Sequence, residues 1–171
     1  MTQAPLLSAS LGRRGFLSRK RHVQRPPWTT EARVRESCTS CGDCIRACPE
    51  AILIPGPAGT PGLDFTRGEC TFCADCANAC GEDVFFDITE MPWTLTAEIG
   101  SACLLTQGVS CRACSDFCET EALRFDLRAG PVGAINVDAA ACTGCGACVA
   151  ACPVGTITVS PEEQPAKEPV A

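Results

Sequence analysis

Cys38, Cys41, Cys44 and Cys48 stand at C-x2-C-x2-C-x3-C spacing, with Pro49 after the last. Cys70, Cys73, Cys76 and Cys80 repeat that spacing, followed by Gly81, and Cys142, Cys145, Cys148 and Cys152 repeat it again before Pro153. The remaining group is stretched. Seven residues separate Cys103 from Cys111, and Cys114 and Cys118 follow. These groups use all sixteen cysteines of the 171-residue chain. Disulfides are one reading, but cysteines three apart cannot all find separate partners of acceptable geometry. Structural zinc is another, yet zinc sites take paired C-x2-C groups from two separated loops rather than tetrads.

The spacing is that of 4Fe-4S ligands. C-x2-C-x2-C-x3-C-P is the ligand run of two-cluster bacterial ferredoxins, and its fourth cysteine binds the other cluster of the pair. Three thiols two residues apart can wrap one cubane in a tight loop, while the fourth points away. The crossed rule therefore predicts four sets: Cys38, Cys41, Cys44 with Cys80; Cys70, Cys73, Cys76 with Cys48; Cys103, Cys111, Cys114 with Cys152; and Cys142, Cys145, Cys148 with Cys118. Gly42, Gly144 and Gly146 lie where the chain must bend round a cluster. Ala47, Ala79 and Ala151 precede fourth cysteines and permit close packing, a placement that helix propensity explains equally well. The spacer "LLTQGVS" of the third tetrad is expected to bulge, either exposing Leu104 and Leu105 or laying them over the cluster. A longer loop should hold its ligands less rigidly.

The segments that must position these thiols repeat. "AILI", the turn "PGPAGTPG", "LDF" and "VFFDI" surround the first two tetrads; "ALRFD", "LRAGPVG", "AINVD" and "TITVS" surround the last two. Short β-rich runs bounded by Gly and Pro read as strands. The expected fold is α+β: two tandem bacterial-type two-cluster ferredoxin modules with a disordered basic N-terminal arm. The bounds are 1–35 for the arm, 36–92 and 93–160 for the modules, and 161–171 for a disordered tail. Pro92 and Trp93, near the boundary, read as linker and packing.

Charge divides the chain the same way. Residues 1–35 hold eight basic groups and one acid, so of the total of −6 the remaining residues carry −13. Only nine aromatics are present, and a core this thin needs cross-links. No apolar run is long enough to span a membrane, and no nucleic-acid partner is expected. Arg13-Arg14-Gly15-Phe16-Leu17 looks like a twin-arginine export signal, but the charges Arg19, Lys20 and Arg21 follow where an apolar stretch would have to stand. The chain therefore reads as cytoplasmic, with Arg13 and Arg14 as candidate partner-binding residues and His22 as part of the arm rather than a ligand. With every thiol engaged, and neither a Ser–His–Asp set nor a nucleotide loop, no catalysis of its own is expected.

The "RRGFL" leader without an apolar region, the two regular tetrads, the stretched third and the regular fourth together resemble the NapF type of ferredoxin-like protein. Such proteins are encoded with bacterial periplasmic nitrate reductases. Gly12 stands before the arginines in place of the usual serine. The resemblance covers nearly the whole chain. It implies a cytoplasmic iron–sulfur accessory protein with four 4Fe-4S clusters, which assists cluster loading or reduction of the catalytic subunit of the periplasmic nitrate reductase before export. A general soluble electron-transfer ferredoxin, or an electron-transfer subunit of a larger oxidoreductase, is the alternative.

Overall fold

The computed structural model describes residues 23–161. Arg13, Arg14, His22 and residues 162–171 lie outside this span. The elements run α1 (Glu31–Ser37), α2 (Asp43–Ala47), β1 (Leu53–Pro55), β2 (Pro61–Leu63), α3 (Asp75–Asn78), β3 (Leu95–Ile99), α4 (Ala113–Asp116), β4 (Leu123–Asp126), β5 (Ala134–Val137), α5 (Ala147–Ala151) and β6 (Ile157–Pro161), with short 3-10 turns at Pro57–Gly59 and Leu104–Gln107. Helices of four or five residues are far below the length that is stable alone in water, so packing and the cysteine loops have to hold them.

Each half carries one antiparallel hairpin between its two tetrads. In the first half β1 pairs with β2, Leu53 opposite Leu63 and Pro55 opposite Pro61. In the second, β4 pairs with β5, Leu123 opposite Val137. A third sheet closes the second half, where β3 pairs with β6 from Leu95 opposite Pro161 to Ile99 opposite Ile157. Pro161, assigned above to the tail, is thus the last residue of β6.

The first half closes differently. "VFFDI" forms no strand and makes only an isolated bridge, Thr29 to Phe85. The segment facing it holds Pro26 and Pro27, which have no N–H to donate to a ladder, and Trp28, whose φ of 58° breaks the extended run. The second strand is also displaced: β2 takes in Pro61 and Gly62, which read as turn, and of "LDF" only Leu63, because the Asp64 side chain accepts from the N–H and hydroxyl of Thr66 and turns the chain.

Residues 23–35, expected within a flexible arm, belong to the first half. Pro26, Pro27, Trp28 and Val34 are buried. Trp28 donates its indole N–H to Glu90 O at 3.0 Å and its backbone N–H to Pro92 O at 3.0 Å. Arg25, its side chain 11% exposed, donates to Glu31 at 2.6 Å, to Thr60 Oγ1 at 3.0 Å and to Pro61 O at 2.8 Å, which ties the segment to the β1–β2 turn. Thr30 caps α1 by accepting from Arg33 N–H, with Glu31 in its first turn and Arg35 in its last, the arrangement that suits the helix dipole. The count of basic groups marked this stretch as arm. Its two prolines and its tryptophan carried the opposite signal.

The apolar core is built on the thiols. One cluster joins Cys44, Leu53 and Cys76; the other joins Ala97, Cys114, Ala122, Leu123, Cys148 and Ile157. The third cysteine of every tetrad is buried, at 8%, 8%, 8% and 6% exposure, and each sits in the first turn of its short helix.

Candidate metal centre

The loop between the first and third cysteine follows one backbone recipe in three of the four tetrads. The residue before the second cysteine has positive φ: Ser40 (58°), Phe72 (54°) and Gly144 (69°). The residue after it does so again: Gly42 (77°), Ala74 (63°) and Gly146 (87°). Left-handed backbone costs a non-glycine residue roughly 1–2 kcal/mol, so Ser40, Phe72 and Ala74 mark positions where the loop requires the bend. Alternation of right- and left-handed residues turns successive N–H groups inward into a concavity that suits an anionic iron–sulfur centre. Ser40 N–H points at Cys38 Sγ at 3.4 Å.

The third tetrad reaches its site by another route. Arg112, after the second cysteine, has φ −136°. The spacer, expected as a loose bulge, is a hydrogen-bonded turn. Thr106 N–H donates to Cys103 O at 3.0 Å and Val109 N–H to Leu104 O at 2.9 Å, and Gly108 ends the turn at φ +77°. Leu104 and Leu105 are both half-buried, and Leu104 lines the cavity beside Cys103.

Four separate small cavities are each lined by four cysteines. The first contains Cys48, Cys70, Cys73 and Cys76. The second contains Cys38, Cys41, Cys44 and Cys80. The third contains Cys118, Cys142, Cys145 and Cys148, and the fourth contains Cys103, Cys111, Cys114 and Cys152. Every cavity takes three thiols from one tetrad and the last thiol of its neighbour, the same grouping that the crossed rule gives. Apolar side chains supply much of the remaining wall, among them Ile52, Leu53 and Leu63 in one and Ile99, Ile135 and Ile157 in another.

The donor set fits a multi-iron cubane. Thiolates are the soft ligands that iron–sulfur centres take. A zinc ion with thiolates at about 2.3 Å would require sulfurs about 4 Å apart. Among the described residues no three His, Cys, Asp or Glu side chains converge closely enough to hold a single ion; the thiols stand round the cavities instead. Burial pushes the thiol of Cys44 up to about 11, of Cys70 to about 11, of Cys76 to about 12, of Cys114 to about 11 and of Cys148 to about 12. Neighbouring thiols add to the rise, as Cys80 and Cys38 do at Cys44. Backbone N–H groups of Ile45, Phe72, Ala77 and Ser115 act in the opposite direction on Cys44, Cys70, Cys76 and Cys114. Iron must displace these protons, and the same N–H groups would then donate to ligated sulfur, one of the levers on cluster potential.

Short helices, tight hairpins and thiol-lined cavities define an iron–sulfur protein of the ferredoxin type. Residues 34–84 and 109–166 each match the 4Fe-4S dicluster domain. Cys103 lies just outside the second match, as its displaced position would lead one to expect. Two dicluster segments and sixteen cysteines fit four 4Fe-4S clusters. The ferredoxin-type protein NapF of Haemophilus influenzae is 45% identical over 141 residues, which cover 82% of this chain and 80% of that protein. Its namesake in Escherichia coli K12 is 42% identical over 135 residues, covering 78% and 82%. The chain belongs to the NapF family of ferredoxin-type proteins.

Sequence reasoning read Trp93 as packing near the boundary but missed the aromatic residues it meets. Trp93 donates its indole N–H to Thr143 O at 2.8 Å, and its ring meets Phe72 at 5.5 Å and Phe65 at 6.1 Å, both edge-on. Trp28 meets Phe72 at 6.4 Å. The available signal was scarcity: four of only nine aromatics converge at this one place.

Proposed function

We propose that the chain is two tandem two-cluster ferredoxin modules that hold four 4Fe-4S clusters in the crossed ligand sets. We further propose that it works in the cytoplasm as an accessory protein, assisting cluster loading or reduction of the catalytic subunit of the periplasmic nitrate reductase before export. The observation that carries the reading is the lining of the four cavities, three thiols from one tetrad and one from its neighbour in every case. When bound, the clusters supply one-electron chemistry. The chain's own residues bind them, shield them and donate hydrogen bonds to their sulfurs. No catalytic role is assigned to the chain itself, because all sixteen thiols serve as ligands in this reading.

The partner and compartment rest on the likeness to the NapF proteins and on the absence of an apolar stretch after Arg13 and Arg14. No helix among the described residues is long and apolar enough to cross a membrane. A second reading, a general electron-transfer ferredoxin, is favoured by the exposed thiols of Cys41 and Cys73, which bring two sites to the surface. Affinity capture with the tagged full-length chain separates the two. The accessory reading expects the nitrate reductase catalytic subunit to be retained from the cytoplasmic fraction, and retained less by Arg13→Ala, Arg14→Ala. Retention of redox enzymes without that subunit supports the carrier reading.

A further inference from the structure

We infer that the seam between the halves holds the second and fourth tetrad loops together as one coupled pair of cluster sites, with Trp93 as the positioning residue. The inference rests on the ligation proposed above. The link is direct: Cys70 N–H donates to Cys145 O at 2.8 Å, so a ligand residue of one half is hydrogen-bonded to a ligand residue of the other. Trp93 fastens the same two loops. Its indole N–H binds Thr143 O, between Cys142 and Cys145, while its ring packs on Phe72, between Cys70 and Cys73.

A third contact closes the seam from the other side. Gly146 has φ +87°, and a Cβ there would run into the Phe65 ring of the first half. Glycine therefore brings the fourth loop against Phe65, and Phe65 in turn meets Trp93. Buried Phe65 and the Cys70–Cys145 peptide contact lie between the loops on one side, while Trp93 and Thr143 border an open cavity on the other. On the Phe65 side water is excluded and the low dielectric screens charge poorly, so charge added at one site is felt at the other.

Within each half the tetrads are already joined through shared cores, Cys44 with Cys76 and Cys114 with Cys148. The seam adds the missing link between halves. The sites thus line up as first, second, fourth, third, which is not their order in the chain. The second and fourth are the inner pair.

The test uses the full chain, anaerobically loaded, in a Cys44→Ala, Cys114→Ala background that leaves one site in each half. Iron content reports the ligation. Iron for two clusters is expected, and a different stoichiometry would count against the ligation rather than against the coupling. Reductive titration followed by electron paramagnetic resonance reports the coupling. Spin–spin broadening and two separated reduction steps are expected in this background. Trp93→Ala at unchanged iron content should lose the broadening and merge the steps. Trp93→Phe, which keeps the ring but not the N–H, should lie between. Should the background lose iron, wild type and Trp93→Phe are compared instead, with narrower fully reduced features expected in Trp93→Phe. Uncoupled signals from two loaded sites, or Trp93 variants that leave the broadening intact, would overturn the inference.

Discussion

Cys48 lines a cavity other than the one its own tetrad loop surrounds. It follows α2, four residues beyond Cys44, the last thiol of its loop, and it faces the cavity lined by Cys70, Cys73 and Cys76. Cys48→Ala should therefore damage the cluster of the second tetrad and spare the one held by Cys38, Cys41 and Cys44. Resonance spectra of the loaded variant check this, and selective loss of the first cluster would contradict the crossed arrangement. Glycines offer a matched pair at the same scale. Gly146→Ala forces a Cβ toward Phe65 at positive φ, a strain of roughly 1–2 kcal/mol before the clash is counted. Gly81→Ala meets nothing within 4 Å and carries no positive φ. Thermal denaturation of the loaded protein should show a lower midpoint for the first and no more than a slight change for the second. Equal midpoints would mean that the Phe65–Gly146 contact does not matter. The thiols were legible in the sequence because ligand spacing is local. The packing role of Trp93 was read too, but not its partners, since Phe72 and Thr143 lie 21 and 50 positions away and no local pattern announces them.

At the scale of elements, the hairpin β4–β5 was readable, since β-branched and apolar runs bounded by Gly and Pro mark strands locally, whereas β2 takes in Pro61 and Gly62, which had read as turn. What closes each half was not. In the second half β3 and β6 pair across about 60 residues of chain, and in the first half an N-terminal segment replaces the strand. Charge disguised that segment as arm, yet its Arg25 is spent on an ion pair and two hydrogen bonds within the fold. Arg25→Ala should release residues 24–30 from the β1–β2 turn. Hydrogen bonds from charged groups contribute roughly 1.5–3 kcal/mol each, discounted here because Glu31 is exposed, so a loss of about 1–3 kcal/mol is expected. Faster amide exchange at Trp28 and Phe86, whose N–H groups bond Pro92 O and Trp28 O, would register the release. Unchanged exchange there would show that Trp28 alone holds the segment.

For the whole molecule, the thin apolar core and the sixteen thiols describe one design: the cysteine sites occupy the positions that larger side chains would fill in an ordinary domain of this size. Metal binding and folding are coupled in such a chain, because the short helices have little else to pack against. The stretched third tetrad does not break the pattern, since its cavity has the same four-thiol lining as the others. Iron and acid-labile sulfide per chain, measured on the full-length protein purified without oxygen, test the central claim most directly. About sixteen of each, four per cubane, are expected. About eight of each, or zinc in their place, would contradict it.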